Sequence, residues 1–134
     1  MTSQTVILII EDEEFLRSSL ADYLEDHGYG VLTSPNAEDG LSQLRSERVD
    51  LCVVDMRLPD MNGNEFIMRA YAHDTGLKFI IFTGSVEYSL PESLLEIGLR
   101  SSDVLFKPLT DMSLLLEKIS EACSAPLGTS AISS

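Results

Sequence analysis

Several short apolar runs in this 134-residue chain end on residues that could do chemistry. Glu11 and Asp12 follow one run, and Asp55 follows another, Leu51–Val54. Two more runs lead into Thr83 and Lys107. Three carboxylates brought together repel one another unless a hard cation sits among them, and an oxygen-only, partly hydrated donor set suits magnesium. Such a cation would also cancel the repulsion between a carboxylate nucleophile and an incoming phosphoryl group. Asp55 could then attack phosphorus in line and carry an acyl phosphate. A hydroxyl at Thr83 and an ammonium at Lys107 both suit the oxygens of that new phosphoryl group.

The elements that must position these groups alternate along the chain. Thr5–Ile10 is an unbroken apolar run, as expected of a strand buried on both faces. Glu13–His27 places Leu16, Leu20, Leu24 and His27 on one helical face, with Gly28 as the stop. A short strand is expected over Gly30–Thr33, followed by a helix capped by Ser34 with Pro35 in its first position and Leu41 and Leu44 inward. Val49–Val54 predicts a third strand, and RLPDMNG (Arg57–Gly63) is turn chemistry in which Asn62 caps a helix to about His73. Lys78–Phe82 reads as a fourth strand. Ser89, Pro91 and Glu92 suggest a capping-box start to a short helix ending at Gly98. Val104–Phe106 completes the strands, and Asp111–Cys123 carries Leu114, Leu115, Ile119 and Ala122 as a last amphipathic helix. Five strand–helix pairs imply an α/β domain whose parallel sheet is covered on both faces. In such sheets ligands bind beyond the carboxyl ends of the strands, which is where Glu11, Asp12, Asp55, Thr83 and Lys107 fall.

Composition narrows the alternatives. At 44% hydrophobic residues the chain can form a core, and its apolar runs are too short to cross a bilayer. It lacks a secretory-type start, so it reads as soluble and cytoplasmic, with no membrane partner. A formal charge of −13 argues against direct nucleic-acid binding. Cys52 and Cys123 read as packing residues, and His27 and His73 as surface residues. Residues 1–123 are expected to form the domain, and 124–134 a flexible tail or the start of a linker.

IIEDEEF, VVDMRLPDMNG, FIIFTGS and LFKPL, in this order and spacing, resemble the signatures of response-regulator receiver domains of bacterial two-component systems. The resemblance covers nearly everything from Thr5 to Cys123. It implies a flavodoxin-like, doubly wound five-stranded parallel sheet in the order 2-1-3-4-5 with five helices. It also implies a non-enzymatic signalling domain that catalyses only its own phosphorylation and dephosphorylation at Asp55. Asp12, Asp55 and the backbone carbonyl of Arg57 would then be magnesium ligands, with Glu11 helping through water where the family more often carries Asp. The implied partners are a sensor histidine kinase or phosphotransfer protein upstream and an output domain or protein downstream. A cis Lys107–Pro108 bond, frequent in the family, would aim the lysine inward.

One position departs from the pattern. Many relatives carry an aromatic ring three residues before the lysine, and here that position is Val104; the ring at Phe106 is expected on the opposite strand face. The usual output switch, and with it any dimer contact, is therefore left open. Competing chemistries fit less well. A haloacid-dehalogenase-type phosphohydrolase needs an acid where Arg57 stands, and an FMN-binding flavodoxin needs a hydroxyl- and glycine-rich loop where EDEE stands. The principal rival is a receiver-like interaction module that is never phosphorylated. Taken singly, Asp12 could merely cap a helix, Asp55 could be a turn residue and Lys107 a surface lysine. Four strand ends would have to be coincidental at once.

Overall fold

The computed structural model describes residues 4–124, the side chain of Ser124 excepted. The strands are β1 (Val6–Ile10), β2 (Gly30–Ser34), β3 (Leu51–Val54), β4 (Lys78–Thr83) and β5 (Val104–Phe106). The helices are α1 (Glu14–Asp26), α2 (Ala37–Ser46), α3 (Gly63–His73), α4 (Glu92–Glu96) and α5 (Ser113–Ser124). All neighbouring strands are parallel, in the order β2-β1-β3-β4-β5. This is the doubly wound topology expected from the sequence.

Alternation along each strand divides the core in two. Leu8, Ile10, Cys52, Val54, Phe79 and Ile81 pack with Leu41, Phe66, Ile67 and Leu94 of α2, α3 and α4. Ile7, Ile9, Leu51, Val53, Ile80 and Phe82 pack with Leu20, Leu24, Leu115 and Ile119 of α1 and α5. Each such aliphatic side chain contributes about 1.5–3 kcal/mol when fully buried, so the central strands are held from both sides. Their continuous hydrophobicity follows directly, because neither face meets water. Burial also pushes the Cys52 thiol well above its ordinary pKa.

Several local expectations need correction. Ser34 does not cap α2: its backbone remains in the β1–β2 ladder opposite Ile10 and its side chain is buried. The cap is Asn36, whose Oδ1 accepts the Asp39 N–H at 2.8 Å. Asp60, from the turn after β3, adds a second clamp by accepting the N–H groups of Ala37 and Glu38 at 2.9 and 2.8 Å. Desolvation opposes the Asp60 charge, yet these backbone donors outweigh it and hold the carboxyl below its usual range. The capping box expected from Ser89 does not form, because the N-cap of α4 is Pro91, which has no side-chain acceptor. α5 begins at Ser113, with Asp111 accepting from both its N–H and its hydroxyl. Leu114 and Cys123 are exposed, since the inward face of α5 runs through Leu115, Ile119 and Ala122.

The expectation for Phe106 also fails. Val104 packs on the α2–α4 side and Leu105 on the α1–α5 side, so a period of two returns Phe106 to the side of Val104. Phe106 belongs to neither cluster and is 39% exposed. The connection between Gly98 and β5 contains one 3₁₀ turn, Ser101–Asp103. The expected tail lies outside the described residues, apart from Ser124 at the end of α5.

The turn carrying Asp55 is closed by Gly63, whose N–H donates to the carbonyl of Met56 at 3.0 Å. A Cβ there would collide with Met56 Cε and lie 2.7 Å from the carbonyl oxygen of Asp55 and 2.9 Å from Met56 Cα. Two of these obstacles are backbone and cannot rotate away. Gly63→Ala should therefore destabilise the fold by roughly 2–3 kcal/mol, read from urea unfolding followed by circular dichroism.

Candidate functional site

Backbone register brings the acidic residues together. Ile10 pairs with Val54 across β1 and β3, and the Asp55 N–H donates to the Ile10 carbonyl at 3.1 Å. Glu11 and Asp55 consequently leave adjacent strands side by side. One ligand oxygen from each of Glu11, Asp12 and Asp55 falls within a mutual 4.8 Å. Glu11 and Asp55 are 2% and 5% exposed, whereas Asp12 lies at the surface.

Lys107 reaches the same cleft from the end of β5. Its backbone N–H donates to the Thr83 carbonyl at 2.8 Å, the Lys107–Pro108 bond is cis, and the ammonium lies 5.5 Å from the centre of the Phe82 ring. Nζ is 2.8 Å from Glu11 Oε1 and 3.5 Å from Asp55 Oδ2. The shorter contact is a charge-assisted hydrogen bond and the longer is not. Glu11 is held further by the Glu13 N–H, which donates to Oε2 at 3.1 Å, and by Arg17 Nη1, which donates to its backbone carbonyl at 2.9 Å. Burial raises the Glu11 pKa, the Lys107 hydrogen bond opposes that rise, and the Asp55 charge adds to it.

Asp55 Oδ1 accepts the Arg57 N–H at 3.2 Å. Arg57 lines the cleft, as do Glu13, Leu16 and Gly84. Thr83 is buried one strand over, with its hydroxyl accepting the Ser85 N–H at 3.2 Å. The structure thus gathers Glu11, Asp12, Asp55, Arg57 and Lys107 in one cleft and leaves Thr83 just behind Gly84. The preference of Lys107 for Glu11 was not foreseen from sequence. Its signal was the longer acidic side chain at position 11. Nor was the Tyr88 hydroxyl, which donates to Asn64 Oδ1 at 2.6 Å and ties the loop after Thr83 to α3. Burial pushes the Tyr88 phenol up to about 12.

A family model described as the response regulator receiver domain matches residues 7–120. The chain belongs to this family. As a receiver domain, it is a phosphoryl-accepting module of two-component signalling. It is 30% identical over 92 residues to sporulation initiation phosphotransferase F of Bacillus subtilis, covering 69% of this chain and 74% of that protein. A CheY-like receiver domain from Methanospirillum hungatei superposes with a TM-score of 0.81 at 34% identity, covering 92% and 96% of the two chains. The response regulator TrrA of Thermotoga maritima, crystallised with magnesium and beryllofluoride, shares the fold at a TM-score of 0.74 and 24% identity, covering 89% and 99%. Among the curated relatives, the chain spans 30% of a cyclic di-GMP phosphodiesterase and 34% of a transcriptional regulator.

The donor set of this receiver fits a hard divalent cation. Three carboxylates face one ammonium, which leaves the cleft net negative and rich in oxygen ligands. Removing one of those charges should relieve repulsion, at the loss of only the long contact to Lys107. In buffer free of divalent cations, Asp55→Asn should raise stability by roughly 1–2 kcal/mol, and adding magnesium should stabilise the unsubstituted protein more than the variant. Matched urea titrations would check both effects, and a destabilised variant would contradict the electrostatic account.

Proposed function

We propose that Asp55 accepts a phosphoryl group from the phosphohistidine of a sensor kinase or phosphotransfer protein. The observation that carries this reading is Lys107 Nζ, 2.8 Å from Glu11 and 3.5 Å from Asp55 in the cleft that Asp12 also enters. An Asp55 carboxylate oxygen attacks phosphorus, the bond from phosphorus to the donor nitrogen breaks, and the imidazole departs. Lys107 then donates to one phosphoryl oxygen. The Thr83 hydroxyl, which accepts from the Ser85 N–H and donates to no other group among the described residues, keeps its own proton for another. Water reverses the modification at the same site, so the only reactions catalysed are the domain's own phosphorylation and dephosphorylation.

Asp12, Asp55 and the Arg57 backbone carbonyl are the residues that would hold magnesium, with Glu11 contributing through water. When bound, the ion would offset the cleft's negative charge and that of the incoming phosphoryl group. Leu16, Phe82, Pro108, Leu109 and Met112 form an apolar groove beside Lys107, and Phe15 on the same helix as Leu16 is 78% exposed. This groove supports docking of the donor next to the nucleophile. Among the described residues no helix is long and apolar enough to cross a membrane. We place the domain, residues 1–123, in the cytoplasm with its kinase, passing the signal to an output domain or protein.

Incubation with acetyl phosphate and magnesium should add the mass of one phosphoryl group, and Asp55→Asn should abolish it. Replacing Lys107 with Ala should slow the modification by more than about tenfold, the effect of losing one charge-assisted contact to the transferring group. An adduct that survives Asp55→Asn would sink the assignment, as would the absence of any adduct on the unsubstituted protein.

A further inference from the structure

We propose that Glu11 is a positioning residue that keeps Lys107 off the nucleophile until a phosphoryl group arrives. The proposal rests on the reading of Asp55 as the acceptor. Glu11 is fixed at both ends, by Glu13 N–H at its carboxylate and Arg17 at its carbonyl, so the lysine comes to the glutamate rather than the reverse. The ammonium, only 21% exposed, spends its short contact on Glu11 and stands 3.5 Å from Asp55 Oδ2.

A full hydrogen bond from an ammonium would engage an Asp55 lone pair and stabilise its charge, which blunts it as a nucleophile. At 3.5 Å the ion pair persists, but the Asp55 lone pair is free of a short hydrogen bond and the cation remains within reach of the site. An aspartyl phosphate carries roughly −1.5 to −2 charges and three strong acceptor oxygens, so it outcompetes a single carboxylate for the lysine. The exchange is of hydrogen bonds alone. Position 11 needs the longer acid for this, because Asp is shorter by one carbon–carbon bond of about 1.5 Å.

The chain has three lysines, Lys78, Lys107 and Lys118, so its ammonium ¹⁵N spectrum is simple to assign. In magnesium-free protein, Glu11→Asp should displace the Lys107 signal and speed its exchange with water. Adding magnesium and beryllofluoride should bring the signals of both proteins to a common position, because the lysine then faces the phosphoryl mimic in each. At saturating magnesium, Glu11→Asp should be phosphorylated by acetyl phosphate about fivefold more slowly, with the lifetime of the phosphoryl group unchanged. A Lys107 signal unmoved by the substitution would overturn the proposal, and so would a moved signal with an unchanged phosphorylation rate. Absence of an adduct on unsubstituted Asp55 would instead defeat the acceptor reading itself.

Discussion

Like-charge repulsion at neighbouring strand ends is the constraint around which this domain is organised. Parallel pairing of β1 with β3 places Glu11 beside Asp55, and hydrogen bonds in the ladder prevent the strands from moving apart. Water cannot screen the pair well, because both carboxylates are nearly buried. The fold tolerates this by supplying one ammonium and a few backbone donors, too little to neutralise three acids. A cleft left short of positive charge is one prepared to receive it.

Everything else in the molecule supports that arrangement mechanically. The two-sided core fixes β1 and β3 at the centre of the sheet, where small displacements would disturb packing on both faces. Gly63 lets α3 approach the backbone of Asp55 and Met56, so the turn bearing Asp55 is braced from behind. Asp60 joins that same turn to the start of α2, and Tyr88 joins the loop after Thr83 to the start of α3. The segments around Asp55 are thus linked to helices on one side of the sheet.

Much of this was legible in the sequence. Unbroken apolar runs identify buried parallel strands, and chemistry-bearing residues at their ends mark the cleft, since both follow from local pattern. Asn62 was readable as a cap because a cap is a local hydrogen bond. Ser34 and Ser89 misled because capping depends on where the preceding segment releases the chain: pairing with β1 held Ser34 in a strand, and α4 started three residues after Ser89, with Pro91 as its N-cap. Asp60 reaching α2, and Lys107 choosing Glu11 over Asp55, depend on distances between segments remote in sequence. Residue type alone does not encode them.

The separation between Glu11 and Lys107 is 96 positions, and the contact between them is direct. A chain emerging from the ribosome makes Glu11 directly after its first strand and Lys107 only after all five strands have been synthesised. The finished cleft therefore requires β1, β3, β4 and β5 to be paired in order. A copy whose β5 has not docked leaves Glu11 and Asp55 without their ammonium, so the composition of the cleft depends on the last strand to be made.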